Sequence, residues 1–243
     1  MPEHPHIVQS YEQELTTLSR KVCEMGRLAG KLLSDAVTAL VARDRSLSAQ
    51  VIAADLRMNR FENEIEDQAI LMIARRQPLA VDLRQTVTAI RVAADLERIG
   101  DLAKNIAKRA ASIENEPRLQ PVAVGVQHLA KIAREQLDDV IASYASKDIR
   151  NAAKVLARDE ELDALYTSLF RELLTYMMED PRNITVGTHL LFCAKNIERV
   201  GDHATNIAET VHYVVTGESL RKERHDDAWS ARARLDATAE GGK

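Results

Sequence analysis

Two stretches of the chain carry the same oxygen-bearing side chains at the same spacing. The first reads DLERIGDLAKNIAKR from Asp95 and the second NIERVGDHATNIAET from Asn196. At an offset of 101 they share Glu97/Glu198, Arg98/Arg199, Gly100/Gly201, Asp101/Asp202, Asn105/Asn206 and Ala107/Ala208. On a helix the Glu, Asp and Asn fall at i, i+4 and i+8 and stack into one polar ladder. Two carboxylates one turn apart repel by about 0.2–0.5 kcal/mol. A repeated pair therefore calls for a compensating cation. Hard oxygen donors with few histidines suit Mg, Mn, Ca or iron, and zinc less well. The alternative is internal salt bridging, with Lys104, Arg98, Arg199 and Lys195 close by in sequence.

The elements that would carry these ladders are long helices. All six prolines fall at Pro2, Pro5, Pro78, Pro117, Pro121 and Pro181, leaving long proline-free runs between them. Helices stop at or before the residue preceding a proline. Further breaks are expected at Arg43–Ser46 and Ser146–Asp148, where the apolar rhythm lapses and capping residues appear. Six helices follow, at about 7–43, 46–76, 82–115, 122–146, 148–179 and 182–216. Asp82 and Gln85 resemble a capping box for the third, and Asp180-Pro181 supplies an N-cap and N1 proline for the sixth. No segment alternates long enough to argue for a strand.

The helices repeat as a set. Leu15, Leu18, Val22, Met25, Ala29, Leu32, Ala36 and Leu40 form a bundle-type stripe in the first. Adding 104 to Val51, Met58, Phe61, Ile65, Ala69 and Met72 gives Val155, Leu162, Leu165, Leu169, Leu173 and Tyr176, so the fifth helix repeats the second. The same offset carries the first onto the fourth, and the third matches the sixth at 101. The chain is an internal duplication of a three-helix unit. Short connections make neighbours antiparallel. The expected fold is all-α, two pseudo-symmetric antiparallel three-helix bundles at 7–116 and 117–216. A polar tail, 217–243, is expected to extend the last helix briefly and then become disordered.

Within the third helix the row Leu83, Val87, Ile90, Ala94 continues into Glu97, Asp101 and Asn105. In the sixth, Ile184, Thr188, Leu191 and Lys195 lead into Glu198, Asp202 and Asn206. That continuity predicts carboxylates on the inner seam, where cations, metals or water must meet them. A second polar stripe, Asp55, Asn59, Glu62 and Glu66, is echoed by Asp159 and Asp163. It reads first as a solvated face, with Asp55 and Asp159 as auxiliary-ligand candidates beside Asn105 and Asn206. His203 points about 100° from Asp202 and reads as a surface or packing histidine. Gly26, Gly30, Gly100 and Gly201 lie within helices and read as points of close helix approach.

Composition bounds the function. The 243 residues are 45% hydrophobic and 29% charged, and only 4% aromatic, which favours helices built on aliphatic side chains. A net charge of −4 with no basic stripe argues against nucleic acid. Cys23 and Cys193 lack paired spacing and read as reduced thiols. Neither a signal peptide nor a run of about 18 apolar residues is visible, so the chain is not expected to span a membrane. A di-metal carboxylate enzyme would need two Glu-x-x-His pairs; a helical one occurs once, at Glu209 and His212. No phosphate loop or nucleophile elbow appears. No arginine cluster accompanies a free helix N-terminus, so no phosphate site is evident in the sequence. A metal-free helical adaptor is the third alternative.

The duplicated unit and the paired E-R-[IV]-G-D-x-A-x-N-I-A signature resemble the PhoU family of phosphate-uptake regulators, over roughly 7–216. The resemblance implies six helices in two bundles and multinuclear iron or zinc at E/D-x-x-x-D motifs, here Glu97-Asp101 and Glu198-Asp202. It also implies a cytoplasmic, often dimeric repressor of phosphate-starvation signalling, not itself an enzyme. Such a protein would act through the ATPase subunit of the phosphate ABC transporter and its sensor histidine kinase.

Overall fold

The structure, a computed structural model, describes residues 4–76, 80–113 and 119–218. The six helices are α1 (His4–Ala42), α2 (Arg45–Arg76), α3 (Ala80–Ser112), α4 (Gln120–Ser146), α5 (Ile149–Glu179) and α6 (Ile184–Thr216). No strand occurs among the described residues. The expected disorder beyond residue 218 lies outside them.

The breaks within each repeat are built alike. At the end of α1, Arg43 turns left-handed (φ 60°), and Asp44 then accepts the amide of Leu47 at 2.9 Å. At the end of α4, Lys147 turns left-handed (φ 56°), and Asp148 accepts the amides of Arg150 and Asn151 at 2.9 and 3.2 Å. A left-handed residue stops one helix and a carboxylate caps the next. The guanidinium of Arg43 also donates to the carbonyl of Ile113, tying this turn to the far end of α3.

Two terminus expectations need correction. Asp82 does not cap α3, which starts two residues earlier; it lies in the first turn, where its charge suits the helix dipole and its carbonyl accepts from Thr86 Oγ1 at 2.9 Å. Asp180 does cap, but what it caps is a 3-10 turn, Pro181–Asn183, through Arg182 N at 3.0 Å. The sixth helix proper begins after that turn.

In each repeat the three helices pack on one another, and the repeats join through α1 against α4 and α3 against α6. Helices α2 and α5 touch only their own repeat, so they form the two outer edges. One hydrophobic core runs through all six helices. The stripes read for α1, α2, α4 and α5 are its lining: Leu18, Met25, Leu33, Met58, Ile65, Leu129, Leu137 and Leu162 are fully buried. Gly26 lets α1 meet α4, since a Cβ there would lie 2.7 Å from Ile141.

The rows read for α3 and α6 are not the buried ones. Leu83, Ala94, Ile184 and Lys195 are exposed, while Val92, Leu96, Ile99, Ile106, Val186, Leu190, Ile197, Val200 and Ile207 are buried. These two helices each face three others, so apolar positions cover most of their circumference. A single apolar row read along such a helix need not be its inner face. The ladders consequently lie on partly exposed faces beside α2 and α5.

Candidate metal centre

In the first repeat, α3 presents Glu97 and Asp101 toward α2, which supplies Asp55 and Glu62. The stripe expected to be solvated thus faces the ladder. The Asp55 side chain is only 16% exposed, against 35% for Asp101. Lys104 Nζ sits between these two helices, 2.7 Å from Asp101 Oδ1 and 2.8 Å from Asp55 Oδ2. Both carboxylates in turn hold the ammonium pKa above its ordinary value. The other oxygen of Asp55, Oδ1, is buried without a hydrogen-bond partner. Glu97 has only the distant Arg98, 4.0 Å away and largely solvated.

The acids sit close enough to disturb one another. Burial pushes the Glu97 carboxyl up, and Asp101 and Glu62 add to it, with Arg98 opposing. Burial and then Glu66 raise Glu62. These are carboxylates held in a field of like charge, which an added cation would relieve.

In the second repeat, α6 presents Glu198 and Asp202 toward α5, which supplies Asp159 and Asp163. Glu198 is 11% exposed, and burial raises its carboxyl, with Asp202 and Asp163 adding and Lys195 opposing. Lys195 Nζ reaches in from the exposed rim and lies 2.6 Å from both carboxylate oxygens of Glu198, donating to Oε1 and ion-paired with the buried Oε2. Where the first repeat has Lys104, the second has Thr205, whose hydroxyl donates to the Asp202 carbonyl at 2.7 Å. No lysine can bridge α5 and α6 from that position.

Beneath this second face lies a polar group the sequence reading passed over. Gln136 of α4 is fully buried, and neither amide atom has a hydrogen-bond partner. Its Oε1 and the Oδ1 of Asp159 lie 3.1 and 3.5 Å from the point where a Cβ on Gly201 would stand. A signal existed: the 104 offset pairs Gln136 with Leu32, an amide where the repeat elsewhere has core leucine.

The remaining candidates fall outside these clusters. Asn105 and Asn206 are exposed, so the third rung of each ladder reaches solvent. His203 Nδ1 meets Asp95 Oδ1 at 2.9 Å and links the two repeats. His212 Nδ1 lies against the Glu218 carbonyl at 3.2 Å, at the C-terminal end of α6.

Among the described residues no three His, Cys, Asp or Glu side chains converge closely enough to hold an ion as they stand. The residue types do fit one. Each face offers carboxylates from two helices, and the buried Oδ1 of Asp55 has no hydrogen-bond partner. In the first face an ammonium already spans two of the donors, and in the second Lys195 pairs with Glu198.

The PhoU domain profile matches residues 22–110 and 126–211, one copy per repeat. A phosphate-specific transport system accessory protein PhoU homolog of Rhizobium meliloti is 53% identical over 92% of this chain and 94% of its own length. The Escherichia coli accessory protein PhoU is 36% identical over 91% and 92%. The crystal structure of PhoU from Pseudomonas aeruginosa superposes with a TM-score of 0.81 at 37% identity, covering 86% of this chain and all of that one. The phosphate transport system regulatory protein PhoU from Streptococcus pneumoniae gives 0.80 at 27% identity, over 87% and 99%. With both repeats matched and the six-helix architecture shared, this chain belongs to the PhoU family.

Proposed function

We propose that the chain is a metal-binding negative regulator of phosphate transport and phosphate-starvation signalling, without catalysis of its own. It works in the cytoplasm, as a homodimer, by contacts with the ATPase subunit of the phosphate ABC transporter and with its sensor histidine kinase. Family membership carries this reading, above all the 53% identity over nearly the whole length to a protein named for phosphate-specific transport. No described helix is long and apolar enough to cross a membrane, which agrees with reaching the transporter through a partner.

The metal would be held by Glu198, Asp202 and Asp159 in the second repeat. In the first it would be held by Glu97, Asp101 and Asp55 once Lys104 swings aside. Iron or zinc is the expectation that the sequence signature's resemblance carries; carboxylate donors also suit Mg or Mn. A bound cation would supply positive charge and turn an acidic face into a neutral or positive one. The chain's own part is to hold like-charged oxygens on two helices that the core keeps from moving apart. A metal-free adaptor is the second reading, favoured by Lys104 bridging Asp55 and Asp101 unaided.

Two experiments test the proposal. Capture of the native protein from membranes should bring down the transporter ATPase and the kinase; recovery of neither would sink the partner assignment. Cells carrying a Glu97→Ala/Asp101→Ala/Glu198→Ala/Asp202→Ala chain should express phosphate-starvation genes in phosphate-replete medium. Full repression by that folded variant would show that the partners read another surface.

A further inference from the structure

A cavity of about 390 Å³ opens where the two repeats meet, between α1 and α3 of the first and α4 and α6 of the second. That volume is within the range of small-ligand sites. Its cationic rim comes from Arg20 and Arg27, two turns apart on α1, and from Lys147, the left-handed residue that ends α4. No carboxylate lines it. Arg20 has Glu24 at 3.4 Å on the solvent side, while Arg27 and Lys147 make no ion pair among the described residues. Deeper in, Thr88 is 1% exposed, and its hydroxyl has no hydrogen-bond partner. Leu15, Leu18 and Val214 give its floor apolar surface, beside the polar side chains of Ser19, Gln85 and Tyr144.

Three cations around an opening, an unpaired buried hydroxyl and a partly apolar floor specify a ligand with an anionic end and an apolar body. We propose that this cavity binds a small organic phosphate of about nucleoside monophosphate size. The phosphate sits against Arg20, Arg27 and Lys147, the Thr88 hydroxyl donates to the ligand, and the apolar body lies on Leu15, Leu18 and Val214. Guanidinium groups match phosphate oxygens in geometry as well as charge. The sequence alone hides the site: the arginines and the lysine belong to different repeats, and no helix N-terminus is involved. The acidic faces of α3 and α6 take no part, so the inference is independent of the metal and of the regulatory role. A ligand there touches both repeats at once.

Isothermal titration of the full chain in low-salt buffer, with AMP and separately with inorganic phosphate, tests it. AMP should bind about tenfold or more tighter than inorganic phosphate, because only the ester reaches the floor. Arg27→Gln/Lys147→Gln should weaken AMP about tenfold or more, and Thr88→Val severalfold, with unchanged circular dichroism in both. All three positions should tolerate change, since Arg27 and Lys147 are exposed and Val keeps the shape of Thr. Absence of binding by either ligand at millimolar concentration would overturn the site. Undiminished binding by the double variant would overturn its location. Equal affinity for AMP and inorganic phosphate would overturn the role given to the apolar floor.

Discussion

Lys104→Met should convert the first acidic face from a self-neutralised site into one that depends on added metal. The ammonium is 2.7 Å from Asp101 and 2.8 Å from Asp55, with its side chain 22% exposed. Breaking a fully buried pair costs about 3–5 kcal/mol and an exposed one about 0–1. Screening at this intermediate exposure puts the loss near 1–2 kcal/mol, because Asp55 is left partly buried with no cation. For a chain of this size that is a fall in melting temperature of about 2–8 °C. A divalent ion at about 100 times its Kd would return about 2.7 kcal/mol and more than offset the loss. Glu198→Ala/Asp202→Ala is the right background, since only the first face can then respond. Circular dichroism melts of chelated protein, with and without manganese, read the result. The reasoning fails if Lys104→Met melts within about 1 °C of its parent without metal. It fails equally if manganese stabilises parent and variant by the same amount.

Three other outcomes follow from the same geometry. Gln136→Leu restores the residue type of Leu32, removes two unpartnered polar atoms, and should raise stability by about 1–3 kcal/mol in urea melts. Gly201→Ala would place a Cβ 2.2 Å from Leu162 and should destabilise by about 1–3 kcal/mol despite the better helix former, as measured by the same melts. Glu62, Glu97 and Glu198 all have carboxyls raised from 4.5, so the folded state holds more protons than the unfolded state above that pH. Their contribution to stability is therefore largest in acid and is lost as pH rises through and beyond 4.5. Saturating divalent metal should flatten that loss, as read by urea melts across the carboxylate range.

The stripe from Leu18 to Leu40 in α1 and those of α2, α4 and α5 are core almost residue for residue. In α3 the row through Leu83 and Ala94 that leads into the ladder is exposed, and the core positions Val92, Leu96 and Ile99 lie on the rows beside it. The ladder itself was legible, since spacing alone stacks Glu97 on Asp101. What faces it was not: a stripe of acids on α2 looks solvated until the packing of α2 on α3 turns Asp55 inward. Gln136 belongs to the same class, an amide whose importance depends on α4 passing beneath Gly201. The repeat offset could have exposed it by contrast with Leu32.

Elemental analysis of the chain, purified from phosphate-replete cells without added metal, tests the central claim most directly. The parent should be compared with Glu97→Ala/Asp101→Ala and with Glu198→Ala/Asp202→Ala. The parent should carry bound transition or divalent metal. Each pair should remove the metal of its own repeat, and the quadruple variant should lose all of it while helicity stays intact. A parent without metal, or a quadruple variant that keeps its full complement, would contradict the account.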